Sequence, residues 1–212
     1  FGSQFFNPSG DNSFQSEATV RAEIGTSSDD LISSLDTIGA TGGTPLQRTY
    51  VEVMRYFDGD SSNYSSVSTN YDSPIDSSCD NHFAVMLTDG LPTSDCQNTF
   101  RGAAIPDEDS DGDSTTYNSS CSGAQDYSEY LDDAAKLAYT TDFSDSIDGD
   151  QNLISYAVGL GLDFNLLDDF AVNGGSGESL RADTASELTD TLQSILGSIV
   201  QTPVAGAGFA LT

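Results

Sequence analysis

Two nearly unbroken apolar runs constrain this chain more than any other feature. Residues 83–87 read Phe-Ala-Val-Met-Leu, and residues 153–160 read Leu-Ile-Ser-Tyr-Ala-Val-Gly-Leu. A strand with one wet face alternates apolar and polar side chains, whereas a strand covered on both faces has no such alternation. Both runs therefore predict strands inside a sheet covered on both sides. Segments of helical period lie around and between them. That alternation predicts an α/β fold with a doubly wound, mostly parallel sheet flanked by helices. In such sheets ligands bind beyond the carboxyl ends of the strands.

The remaining elements follow from period and punctuation. Val20, Ala22 and Ile24 alternate with Arg21 and Glu23 and predict a half-exposed strand. Leu31, Ile32, Leu35 and Ile38 share one face of a helix over 29–38, which ends at Gly39 and the Gly42-Gly43 pair. The next helix starts at Thr44-Pro45-Leu46-Gln47, where Pro45 suits the first helical position and Thr44 with Gln47 fits a capping box. Leu46, Tyr50, Val53, Met54 and Phe57 form its predicted buried stripe. Residues 58–78 read as a polar loop, and 91–125 as a long acidic insertion of the kind that is functional or disordered. Tyr127, Tyr130, Leu131, Ala134 and Ala138 mark a helix. A short helix over 163–172, a short strand over 179–182 and a last helix over 184–200 follow. The last carries a second capping box at Thr184 and Glu187. Residues 1–201 thus read as one domain and 202–212 as a linker.

Charge narrows the partners. The chain holds 34 Asp+Glu against 6 Lys+Arg, a formal net charge of -28. Such a surface repels nucleic-acid phosphates and anionic lipid, and it attracts cations. No run of about 18 apolar residues is present, so no membrane span is expected. Phe1 lies in an apolar patch with Phe5 and Phe6, and the chain reads as an internal fragment or processed product. Cys96 and Cys121 flank the acidic stretch. A disulfide between them would constrain the unfolded chain and imply an oxidising compartment. Cys79 is then left over; it pairs outside the fragment, or with Cys96 instead, and sequence does not fix the connectivity.

Two places have the residue types of a cation site. Asp89 leaves the first apolar run at its carboxyl end, and Thr44 opens a helix after two glycines. A carboxylate with a neutral hydroxyl beside it supplies oxygen ligands and little charge, which leaves a divalent ion electrophilic toward a partner's acid. The plainer readings are an N-cap for Thr44 and a turn at Asp89-Gly90. In the insertion, Asp107, Asp109, Asp111, Gly112 and Asp113 have the spacing of the first half of an EF-hand-type Ca²⁺ loop. Asn118 stands at the twelfth position, where a bidentate Glu is expected, and a solvated acidic loop is the plainer reading.

Residues 42–46 (Gly-Gly-Thr-Pro-Leu), followed by a helix and then by an apolar strand ending Leu-Thr-Asp-Gly-Leu-Pro, resemble the second and third loops of a von Willebrand factor type A domain, whose fold is Rossmann-like. The resemblance implies a metal ion-dependent adhesion site, with Thr44 and Asp89 as ligands for Mg²⁺, Mn²⁺ or Ca²⁺. The Asp-x-Ser-x-Ser loop of that family is not found, which implies a chain truncated at its N-terminus that lacks the fold's first strand, that loop and the first helix. Residues 130–139 and 148–160 are similar to the A domain of PilY-type proteins of type IV pilus tips. That similarity implies an exported protein at the cell surface or pilus tip. Its expected partners are minor pilus subunits and a protein ligand or a host or abiotic surface. Its expected role is adhesion, pilus assembly or surface sensing, or else that of a structural, force-bearing component with a degenerate metal site.

An enzyme is not expected. His82 is the lone histidine and opens a strand. Gly174-Gly175-Ser176-Gly177 lacks the spacing of a nucleophile elbow, and Gly159 and Gly161 lack the third glycine of a dinucleotide loop.

Overall fold

The computed structural model describes residues 3–6, 18–36, 43–63, 70–78, 80–95, 99–112, 116–117 and 127–202. They form two compact units, one of Phe1–Pro74 with Leu91–Ala134 and one of Ile75–Gly90 with Ala135–Thr212.

The first unit opens with β1 (Ser3–Phe6) and β2 (Ala18–Ala22), paired antiparallel. Helix α1 (Ser28–Leu35) follows, with Ser27 as its N-cap accepting the Asp30 amide. The expected apolar face of α1 is not buried: Ile32 is 57% and Leu35 45% exposed. Helix α2 (Leu46–Asp58) is the centre of this unit. Leu46, Tyr50, Met54 and Phe57 are buried as the stripe requires, while Val53 is only half-buried. Val51, Glu52, Arg55 and Tyr56 are buried as well, so α2 is enclosed on nearly every side and not along one stripe. The Tyr56 ring packs edge-on against Phe57 and Tyr71, at 5.8 and 5.7 Å between centroids.

A helix enclosed this way must satisfy its own polar side chains. Glu52 accepts the Asn63 amide at 2.7 Å and the Tyr71 hydroxyl at 2.8 Å. Arg55 donates to the carbonyls of Ser61 and Thr99 and pairs with Asp60. These bonds tie parts of the polar loop, described at 58–63 and 70–78, and of the insertion onto α2. The insertion, expected without structure, holds β4 (Thr99–Phe100) and β5 (Ala103–Ala104) as a hairpin; it is preceded along the chain by β3 of the second unit (His82–Thr88). Phe100 and Ile105 are buried, and they give the insertion apolar anchors that lie outside any period. The short strands β6 (Thr116–Tyr117) and β7 (Tyr127–Ser128) pair antiparallel, so Tyr127 belongs to a strand and not to the helix expected there. Helix α3 (Leu131–Thr140) begins directly afterwards.

The second unit is the α/β core. Strand β3 pairs in parallel with β8 (Leu153–Leu160), in register from His82 with Leu153 to Thr88 with Gly159. β8 pairs in parallel with β9 (Leu180–Ala182), giving the order β3-β8-β9. Between β8 and β9 runs α4 (Asn165–Asn173), and α5 (Ala185–Gln201) closes the unit. Side chains alternate along β8, so its two faces meet different helices. Val158 and Leu160 pack with Ile195, Leu188 and Ile199 of α5. On the other face, a Cβ on Gly159 would stand 3.4 Å from the Leu167 side chain of α4. Helices on opposite faces of a parallel sheet make the architecture doubly wound, as the alternation of elements predicts. The Thr184 cap is present: its hydroxyl accepts the Glu187 amide at 3.2 Å, and the Glu187 carboxylate reaches back to the Asp183 amide. The expectation that β3 is buried on both faces does not hold. Among the described residues it lies at one edge of its sheet, with Val85 37% and Leu87 40% exposed.

Candidate cation site at the start of α3

The structure brings the insertion's aspartates to a helix that sequence spacing had not linked to them. Asp107, Asp109 and Asp133 present ligand oxygens within 4.8 Å of one another, and so do Asp109, Asp111 and Asp132. Asp132 and Asp133 lie in the first turn of α3 and are buried; Asp107 and Asp111 are exposed and Asp109 is half-buried. The Glu108 amide donates to Asp133 Oδ1 at 2.5 Å, and the Asp111 amide to Asp109 Oδ1 at 3.2 Å. Gly112 takes φ +87, the left-handed conformation needed for the sharp turn of such a loop. Asp113 and Asn118 lie outside the described residues. The aspartates of the helix start are acids that the twelve-residue spacing could not reveal; the sequence signal was the Asp132-Asp133 pair itself, at a helix start.

Carboxylates this close repel one another. A divalent cation reverses the balance. Calcium takes six to eight oxygens at about 2.4 Å, so the oxygens of one shell lie within about 4.8 Å of each other. The size, the all-oxygen ligand set and the turn fit such an ion. This cluster can hold a metal.

The other predicted ligands are placed as follows. Thr44 lies just before α2 in the first unit and is half-buried. It is not the N-cap of α2. That position is taken by Pro45, one residue earlier than the first-turn place expected for it, and Pro45 provides no side-chain cap. The expected Thr44–Gln47 capping box is therefore absent. Asp95, fully buried, replaces it: Oδ2 accepts the Gln47 amide at 2.8 Å and Oδ1 the Arg48 amide at 3.2 Å. Thr44 is held by its backbone, donating to the Thr93 carbonyl and hydroxyl and accepting from the Thr93 amide at 3.0 Å. Gly43 is required there, because a Cβ would meet Ser94 Oγ at 2.6 Å. Asp89 lies in the second unit, exposed, at the carboxyl end of β3. The adjoining turn is closed by the Thr88 hydroxyl, which donates to the Gly90 carbonyl at 2.8 Å. Cys79, Cys96 and Cys121 lie outside the described residues. His82 is half-buried at the start of β3; loss of water around the ring lowers its pKa, against the pull of Asp80 and Asp76.

No protein-family model matches the chain, and no curated protein matches it. Among solved structures it is similar to the pilus adhesin SpaC from Lactobacillus rhamnosus GG, with 16% identity and a TM-score of 0.45 over 89% of this chain and 23% of that one. The chain spans less than a quarter of that adhesin's length. No helix among the described residues is long and apolar enough to cross a membrane.

Proposed function

We propose that this protein is a divalent-cation-dependent binding module that attaches to a protein or surface ligand outside the cell. The observation that carries the reading is the convergence of Asp107, Asp109 and Asp111 on Asp132 and Asp133. Calcium is the ion best suited to it, because the ligands are carboxylates on an irregular loop and need not form a strict octahedron. Binding an ion there fastens the insertion to α3 and neutralises part of a surface whose net charge is -28.

The finer reading rests on the residue patterns. Thr44 and Asp89 supply a second, adhesive ion (Mg²⁺, Mn²⁺ or Ca²⁺) with few carboxylates, able to bind an acidic group of the ligand. Asp89 at the carboxyl end of a parallel strand supports this, because that rim is where such sheets bind ligands. The module belongs on this reading to an exported pilus-tip protein of the PilY type, acting in attachment, pilus assembly or surface sensing beside minor pilus subunits. Its role is binding and not catalysis.

A structural, force-bearing role is the second reading. It is favoured by the burial of Asp132 and Asp133, which suits an ion that staples two segments more than one that meets a ligand. Attachment of the full-length pilus-tip protein to an abiotic surface in Ca²⁺, in Mg²⁺ and in chelator separates the two. Adhesion requires the cation and is lost in Thr44→Ala and Asp89→Ala. Unchanged attachment by those variants, with cation-dependent stability retained, would leave the structural role alone.

A further inference from the structure

The aspartates around the start of α3 fall into two sets that share one member. Asp107, Asp109 and Asp133 each bring an oxygen to within 4.8 Å of the others, and so do Asp109, Asp111 and Asp132. Among the described residues no larger set of these acids meets that spacing. The oxygens around one calcium ion, each about 2.4 Å from it, lie within about 4.8 Å of one another. One ion therefore has room for one set and leaves two carboxylates of the other set, one of them buried, outside its shell. The two sets are alike in composition. Each joins an exposed aspartate of the turn (Asp107 or Asp111) to a buried one of the α3 first turn (Asp133 or Asp132) through the half-buried Asp109.

Charge points the same way. Five carboxylates around one divalent ion leave three negative charges uncompensated, and a second ion reduces the excess to one. Burial makes such an excess costly. Asp133 accepts the Glu108 amide. Asp132 has no exposed surface, and although the residue makes other interactions, its Oδ1 accepts no hydrogen bond among the described residues. A cation satisfies an oxygen placed in that way.

We infer that the cluster, given its reading as a cation site, holds two calcium ions bridged by Asp109. One ion is bound by Asp107, Asp109 and Asp133, the other by Asp109, Asp111 and Asp132. The Asp109 carboxylate gives one oxygen to each and places negative charge between two ions that otherwise repel; two metal ions about 4 Å apart are an ordinary arrangement. The Asp111 amide, donating to Asp109 Oδ1 at 3.2 Å, fixes the orientation of the bridge. Water and backbone carbonyls complete the six to eight oxygens that calcium takes. Fastening of the 107–112 turn to α3 by two ions depends more steeply on calcium concentration than fastening by one.

Native mass spectrometry of the chelator-treated full chain, titrated with Ca²⁺, counts the ions, and calorimetry gives their affinities. The expected result is two ions per chain in the wild type, one in Asp107→Asn and one in Asp111→Asn, with both weakened at least about tenfold in Asp109→Asn. Thermal melts in chelator establish that the variants are folded. If Asp109→Asn is not, the Asp107→Asn, Asp111→Asn double variant takes its place, with the same weakening of both ions expected. One ion in the wild type overturns the bridged pair and leaves the single-ion reading standing, whereas no ion overturns both. Two ions that survive in Asp107→Asn and Asp111→Asn alike place the second ion elsewhere and overturn the inference. Loss of both ions from either of these variants overturns the division into two sets.

Discussion

Asp133 accepts the backbone amide of Glu108, 25 positions earlier in the chain, at 2.5 Å. This bond docks the 107–112 turn onto the first turn of α3 and places the acids of both segments in one cluster. Acids in a first turn suit the helix dipole, but buried carboxylates beside further carboxylates need compensation. The structure thus couples the local fold of the insertion to whatever satisfies that charge.

Asp95 stabilises α2 from a distant part of the chain. Its carboxylate receives two of the four amides that a helix start leaves without partners inside the helix. Asp95→Ala is expected to lower the unfolding free energy by about 2 kcal/mol, with Asp95→Asn recovering part of it. Thr44→Ala should cost less, because Thr44 is held there through its backbone. Urea unfolding of the three variants checks this, and an equal loss in Thr44→Ala would return the cap to Thr44.

Glu52 makes stability depend on pH in the direction opposite to an ordinary ion-paired acid. Burial raises its pKa and outweighs the bonds from Asn63 and Tyr71 and the Arg55 charge, which lower it. A raised folded-state pKa means that the contribution is complete below the ordinary glutamate value and is lost as pH rises through the folded value. Glu52→Gln should therefore gain on the wild type in urea-unfolding free energy as pH increases from about 4 toward neutrality. A difference that shrinks over that interval would mean that the hydrogen bonds outweigh burial.

His82 is the only histidine, so its ring gives a single titration by proton NMR. Burial lowers its pKa while Asp80 and Asp76 act in the other direction. The midpoint is expected below the ordinary value of about 6.5. The stability contribution is present above that ordinary value and is lost as pH falls through the folded one. Removing the two acids as Asp76→Asn and Asp80→Asn should lower the midpoint further. A wild-type midpoint above 6.5 would show that the acids prevail.

Local signals were legible where local chemistry decides the outcome. The apolar runs of β3 and β8, the Thr184–Glu187 cap and the existence of helices α2 and α5 all follow from neighbours within one or two turns. Contacts between distant segments were not. Asp95 caps a helix that starts 49 residues before it at Leu46, a distance no capping motif spans. The position of β3 at one edge of the described sheet depends on sheet order, and an apolar strand has the same composition at an edge as in the middle. In the cation cluster the Asp107, Asp109, Asp111 spacing and Gly112 were readable, because a turn-forming ligand loop is local. The contribution of Asp132 and Asp133 was hidden because it depends on where the insertion returns to the fold.

Calorimetric titration of the chelator-treated chain with Ca²⁺ tests the central claim most directly. The account predicts a saturable site that is weakened at least about tenfold by Asp109→Asn and by the Asp132→Asn, Asp133→Asn double variant. It also predicts that Ca²⁺ raises the melting temperature of the wild type, since an ion bound only by the folded state at 100 times its dissociation constant contributes about 2.7 kcal/mol. Absence of saturable binding, or equal affinity in the wild type and a folded double variant, would contradict it.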